Sequence, residues 1–182
     1  YRIKGVVVRS YKEMFKNNTA IKGVASYSDK VLDFNSCFYG AGITGQPLEL
    51  KYLETSGAYI FTSIFYDCKA NELDLSAWNT GSLYFMDEAF RGSMASYINV
   101  TGWDTSKVST FNKTFYDCLA QIIDGLGDWT NYNATNYSMM FDSANKLLVL
   151  DLSGFNTPLT GSLSYMLSGT SGVLEAYAKT QE

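Results

Sequence analysis

The chain has 182 residues, 46% of them hydrophobic and 18% charged, with 14 Lys and Arg against 18 Asp and Glu and no His. The missing imidazole excludes Ser-His-Asp triads, Cys-His pairs and His-ligated zinc, and the scattered cations exclude the concentrated positive patch of a nucleic-acid binder. No window approaches the ~18 consecutive apolar residues of a membrane span, and the length fits one domain or one repeat array.

The opening, YRIKGVVVRS, has no initiator Met, no signal layout and no lipobox cysteine. It reads as part of a longer chain whose export signal or anchor lies elsewhere. Residues 1–24 are expected to form a divergent first coil. From there a single anchor recurs: MFKNN at Phe15, CFYGA at Phe38, IFYDC at Phe65, AFRGS at Phe90, TFYDC at Phe115, MFDSA at Phe141 and a degenerate MLSGT at Leu167, in steps of 23, 27, 25, 25, 26 and 26 residues. A fixed period of this size is the signature of a repeat architecture.

Apolar residues also hold phase inside each unit. Seven and four residues before the anchor stand Val8 and Tyr11, Val31 and Phe34, Ala58 and Phe61, Leu83 and Met86, Val108 and Phe111, Ala134 and Tyr137; the last unit has Thr160 and Leu163. Offsets of 0, 3 and 7 trace one helical face, so each unit is expected to carry a helix of two to three turns. Ser28, Thr55, Thr80, Thr105, Asn131 and Thr157, ten residues before the anchor, are expected to be N-caps. Gly40, Asp67, Gly92, Asp117 and Gly169, two residues after it, are expected to end the helix in the left-handed region.

Between these segments run short alternating stretches, LELK at Leu48, LDLS at Leu73, INVT at Ile98 and LDLS at Leu150. Alternation predicts strands with Leu73 and Leu75 inward and Asp74 and Ser76 outward. Leu53, Trp78, Trp103, Trp129 and Phe155 follow as core plugs. ITGQP places a loop at Pro47, and IIDGLGDW, with its two Gly, predicts a bulge or a broken ladder. VLEAYAKTQE, within 171–182, reads as a polar helical tail or the entry to another domain. One strand and one helix per unit cannot bury a face alone. Stacked, they give an α/β solenoid of about seven coils over one repeat domain, 1–182, with the regular repeats at 25–170.

Units such as LDLSAWNTGSLYFMDEAFRGS, INVTGWDTSKVSTFNKTFYDC and LDLSGFNTPLTGSLSYML resemble the BspA-like leucine-rich-repeat family, in its surface-protein branch first noticed in mycoplasma lipoproteins. The resemblance implies a leucine-rich-repeat-like solenoid and a secreted or surface-displayed bacterial protein. It implies a host-binding or adhesion role and no enzyme activity.

Cys37, Cys68 and Cys118 match no zinc or CxxC spacing. Cys68 and Cys118 share one repeat position two coils apart, ~10 Å, too far for a disulfide, so three free, buried thiols are expected. Tyr39, Tyr66 and Tyr116, directly after the anchor, are expected to pack between coils; Tyr84 and Tyr132 stand off the repeated apolar positions and are expected to be exposed. The candidate ligand-binding residues are the outward strand positions Glu49, Lys51, Asp74, Ser76, Asn99, Thr101, Asp151 and Ser153, with Tyr52 and Tyr97; Asp124 is expected to join them. No catalytic residue, metal or cofactor is expected. The function expected is a non-catalytic module, extracellular or at the cell surface, that recognises a host protein or glycan, without membrane insertion in this segment; the alternative is a structural or receptor-binding module of a phage tail or similar assembly.

Overall fold

The phase of the repeat is the phase of the backbone. In the computed structural model, which describes residues 2–3, 9–155 and 161–178, Ser10 forms a parallel bridge to Asp33, and the bridges continue through Ile60, Phe85, Thr110 and Asn136 to Ser162. The chain is a parallel β-solenoid of about six turns.

The segment expected to be helical is not a helix, and no α-helix occurs among the described residues. The N–H groups of Phe61, Ser63, Phe65 and Asp67 donate to the carbonyls of Phe85, Asp87, Ala89 and Arg91 in the next coil, at 2.7–2.9 Å, while those of Ile64, Tyr66 and Cys68 turn back to Phe61, Ser63 and Phe65. An α-helix consumes its N–H groups internally and leaves nothing for a neighbour; two isolated turns are also a costly nucleus. This turn ribbon instead sends half of its donors into a ladder between coils. Its back-turns return a side chain inward every three or four residues, so its apolar pattern matches that of a helix. The fold is therefore a β-solenoid without the expected helical layer.

Two residues per ribbon, four apart, have positive φ. Gly40, Asp67, Gly92, Asp117 and Gly169 do so at 51 to 71°, as read from the sequence, though they end a turn ribbon and not a helix. Two residues before the anchor, Ser36, Ser63, Glu88, Lys113, Met139 and Tyr165 adopt φ of 53 to 57°, a conformation that costs an L-residue about 1–2 kcal/mol. Nothing in those residue types announces it.

The expected N-caps are also something else. Thr55, Thr80 and Thr105 are buried, and each hydroxyl donates across to the next coil, to the carbonyls of Asn79, Asp104 and Thr130 at 3.0–3.1 Å. They form a threonine ladder in which each buried hydroxyl finds its acceptor in the next coil. Asn131 is buried at the same position, while Ser28 is only half-buried. Thr157, and the apolar-slot positions Val8 and Thr160, lie outside the described residues.

The core slots fill as expected. Phe15, Phe38, Phe65, Phe90, Phe115 and Phe141 stack face to face with centroids 5.0–5.5 Å apart. Trp78, Trp103, Trp129 and Phe155 form a second stack at 6.1–6.2 Å. Each buried ring contributes roughly 1.5–3 kcal/mol of burial, and adjacent rings add about 0.5–1.5 kcal/mol. Cys37, Cys68 and Cys118 are unbonded and buried in this core.

The strands are β1 (Arg2–Ile3), β2 (Gly23–Ser26), β3 (Glu49–Leu53), β4 (Glu72–Asp74), β5 (Tyr97–Asn99), β6 (Ile122–Asp124), β7 (Val149–Leu152) and β8 (Glu175–Ala178). All pairs are parallel, in three sheets: β1-β2-β3, β4-β5-β6 and β7-β8. Leu73 and Leu75 point in and Asp74 and Ser76 out, as the alternation requires. The C-terminal stretch expected to be a helical tail forms β8, paired with β7.

Candidate functional site

The strand face parts at two places. The first lies between β3 and β4. Gly23 pairs with Glu49, but Ala25 pairs with Tyr52, so β3 carries one extra residue as a bulge. Such a bulge bends its strand out of the ladder. Among the described residues β3 and β4 form no ladder; the segments leading into them meet through the bridge from Pro47 to Glu72, the Leu48 N–H on the Glu72 carbonyl at 3.2 Å and the Asn71 N–H on the Gln46 carbonyl at 3.0 Å. One cleft of about 160 Å³ opens between Glu49, Lys51, Glu72 and Asp74. A second, of about 370 Å³, is lined by Tyr27, Lys51, Tyr52, Glu54 and Asn79. Lys51 belongs to both, with Nζ 5.0 Å from the Tyr52 ring centroid. Tyr27 and Tyr52 are 66% and 61% exposed.

The second parting lies between β6 and β7, where the sequence predicts a broken ladder. The Leu148 N–H still reaches the Gln121 carbonyl at 2.9 Å. Beyond it, Gly125 turns the chain at φ 93° into a single 3-10 turn, Leu126–Asp128. A Cβ on Gly125 would lie 2.5 Å from Thr101 Cα, and one on Gly127 would lie 2.3 Å from Asp151 Oδ2. Gly125 is therefore needed for this shape, while a side chain at residue 127 would displace the Asp151 carboxylate. The result is a cleft of about 310 Å³ lined by Ile122, Asp124, Asp128, Val149, Asp151 and Ser153. In this coil the buried Trp129 Nε1–H has no partner among the described residues, whereas Trp78 and Trp103 donate to the carbonyls of Leu50 and Leu75 at 3.2 and 3.0 Å.

Between the two partings the polar row is bonded to itself. Asp74 Oδ1 accepts from the Ser76 N–H and hydroxyl at 3.2 and 2.8 Å, and from Asn99 Nδ2 at 3.1 Å. Asn99 Oδ1 accepts the Thr101 N–H; beyond the second parting, Asp151 Oδ1 accepts the Ser153 N–H in the same way. The Tyr97 hydroxyl donates to Asp124 Oδ2 at 2.7 Å; this bond, with partial burial, pushes the phenol up to about 12.

The residues expected at the site thus divide. Glu49, Lys51, Tyr52 and Asp74 come together at the first parting, and Asp151 and Ser153 join Asp124 at the second. Ser76, Asn99, Thr101 and Tyr97 stay on the regular sheet, engaged with their neighbours. Tyr27, Glu54, Glu72, Ile122 and Val149 were not anticipated: GVAS is too short and small to read as a strand, and the outward apolar pair breaks the alternation rule.

On the ribbon side, Tyr39 and Tyr66 stack at 4.6 Å, and the Arg91 guanidinium sits 5.0 Å from both the Tyr66 and Tyr116 rings. These tyrosines pack between coils, as expected. Tyr84 and Tyr132 are exposed, and Tyr84 stacks on Tyr59 at 5.2 Å. Burial pushes the Cys68 and Cys118 thiols up to about 11 and about 12, and that of Cys37 up as well, which keeps all three protonated and unreactive at neutral pH. Among the described residues no three His, Cys, Asp or Glu side chains group to hold a metal ion, and no helix is long and apolar enough to cross a membrane.

A family model described as "Mycoplasma protein of unknown function, DUF285" matches the chain twice, at residues 9–123 and 59–179. No curated protein and no solved structure matches it.

Proposed function

This chain belongs to the DUF285 family of mycoplasma proteins, and from that premise we propose that it is a non-catalytic binding module, displayed outside the cell, that takes a host protein or glycan on its strand face. The observation that carries the reading is the double parting of the strand ladder. A regular solenoid needs no gaps. Here both gaps rest on specific devices, a bulge in β3 and the Gly125–Gly127 turn, and each gap gathers polar side chains that the repeat alone would leave in a row. The first parting offers two exposed tyrosine rings beside Lys51 and Glu54, a combination of apolar face and directional polar groups suited to a sugar or a peptide. The second offers carboxylates beside Ile122 and Val149. The likeness of the LDLS-W-NT units to BspA-like surface repeats supports display outside the cell.

The test is a glycan and host-protein array probed with the purified chain. A hit should weaken with Tyr52→Ala or Lys51→Ala and be unaffected by Tyr132→Ala, an exposed ring away from the clefts. Binding that survives Tyr52→Ala, Lys51→Ala and Asp151→Asn alike excludes the strand face.

A further inference from the structure

The second parting leaves apolar side chains in water where the strand pattern calls for polar ones. In the outward row where β4 places Glu72, the next two coils place Tyr97 and Ile122, paired in register, and Val149 follows across the cleft. Ile122 and Val149 are 42% and 38% exposed, and Leu119 and Leu148, just before β6 and β7, are exposed as well. This exposure arises inside the stack. β6 is paired with β5, and β7 with β8, where the Leu174 and Glu175 N–H groups both donate to the Leu148 carbonyl. Because the Gly125 turn takes the chain out of the ladder, Ile122 and Val149 line a groove of about 310 Å³ instead of a closed sheet face. Exposed apolar surface rimmed by polar groups marks a contact with another molecule.

The rim decides which molecule. Asp124, Asp128 and Asp151 border the groove, and among the described residues none of them pairs with a Lys or Arg. The outward positions of β4 to β7 add Glu72 and Asp74 and hold no cation. Lys146, on the turn before β7, is bonded to none of these acids. Two of the carboxylates are also fixed in place. Asp124 Oδ2 accepts the Tyr97 hydroxyl at 2.7 Å and Asp151 Oδ1 the Ser153 N–H at 2.9 Å. Both bonds come from neutral donors and leave the negative charges uncompensated. Such a rim repels a nucleic acid, an acidic sugar or an anionic lipid surface. The groove's apolar walls are aliphatic, whereas the first parting presents tyrosine rings. What fits is a chain that offers apolar area and positive charge together, as Lys and Arg do with their aliphatic stems and charged heads.

We propose that the second parting binds a Lys- or Arg-bearing protein segment, with an apolar side chain seated between Ile122 and Val149 and a cation held by Asp124, Asp128 and Asp151. This rests on the strand-face reading given above and narrows it: at this groove the partner is a basic polypeptide and not a glycan.

Fluorescence anisotropy tests this with a short labelled peptide of alternating Lys and Leu, titrated with the purified chain. The Lys/Leu peptide is expected to bind, and to bind more weakly as salt rises through about 0.15 M, where the screening length is about 8 Å. A Glu/Leu peptide is expected not to bind, and a Lys/Ser peptide to bind more weakly. The double variant Asp124→Asn, Asp151→Asn keeps both acceptor oxygens and removes only charge; it is expected to weaken the Lys/Leu peptide roughly tenfold. Ile122→Ser is expected to weaken it through the apolar wall, and Tyr132→Ala to leave it unchanged. Circular dichroism melts matching the unmodified chain show that the variants act on binding and not on folding. Failure of the Lys/Leu peptide to bind overturns the proposal. So does equal binding of the Glu/Leu peptide, or affinity unchanged in the double Asn variant or in Ile122→Ser. The two readings fail separately. An array hit that depends on Tyr52, with no binding of the Lys/Leu peptide, overturns this proposal and leaves the strand-face reading standing. Peptide binding with the expected variant pattern, beside an array with no hit, upholds the groove and removes the host-ligand role.

Discussion

The two sides of the solenoid obey different rules. On the ribbon side the bridges run unbroken from Ser10 to Ser162 over the continuous stack from Phe15 to Phe141. On the strand side the ladder falls into three sheets. The ribbon offers each coil four donors to its neighbour plus a ring to stack on, whereas strands of two to five residues offer few bonds and one or two inward side chains. Stability is thus concentrated on one side, which leaves the other free to part and carry clefts. A repeat protein whose coils are each locked by one ladder tolerates variation in its second ladder, because stability is close to a sum over neighbour interfaces.

Substitutions on the two sides measure that difference. The largest effect is expected at the ribbon anchor: Phe90→Ala, which deletes a buried ring stacked between Phe65 and Phe115, should cost about 3–5 kcal/mol in urea unfolding. On the strand side, Ile122→Ala, at an exposed outward position, should stay within about 0.5 kcal/mol. Equal costs for the two would erase the contrast. A smaller effect is expected from Thr80→Val, which removes the hydroxyl bonded to the Asp104 carbonyl and should cost about 0.5–1.5 kcal/mol through the lost hydrogen bond.

Gly125→Ala tests the second parting. It forces a side chain into φ 93° against the Thr101 backbone, and the backbone strain alone should cost about 1–3 kcal/mol. Gly45→Ala, at φ 75° but with open space around it, should cost less. A proteolysis or hydrogen-exchange map should place the Gly125→Ala disturbance in 122–128 and 149–153 and leave the ribbon protected.

The smallest effect is electrostatic. The Tyr97 phenol is raised to about 12 by its bond to Asp124, above its usual value near 10. Folding therefore favours the protonated phenol. The stabilisation is complete below pH about 10 and is lost as pH rises through about 12. Tyr97→Phe should flatten that part of the stability–pH curve relative to the unmodified chain; identical curves would show that the bond does not form.

How much of this was legible differs by residue. The inward positions Phe34, Leu73, Ile98, Val108 and Trp103 were readable because each coil reuses the same plugs. The second parting was readable because Gly125 and Gly127 interrupt a strand pattern. The first parting was not, since a one-residue bulge inside ELKYL leaves no mark in a stretch whose Lys51 and Tyr52 are both ordinary strand residues. The left-handed residues two before the anchor were also hidden, because Glu, Ser, Lys, Met and Tyr carry no preference for that region.

The sequence by itself determined the period, the inward slots and the burial of the three cysteines, because side-chain burial repeats with the chain and is a local pattern. Only the tertiary structure decided between helix and turn ribbon, turned the expected N-cap threonines into a ladder, and located the clefts. Those outcomes depend on where backbone N–H and hydroxyl groups find their acceptors, and here the acceptors lie about one full coil away along the chain, 24 residues in the Thr80–Asp104 bond.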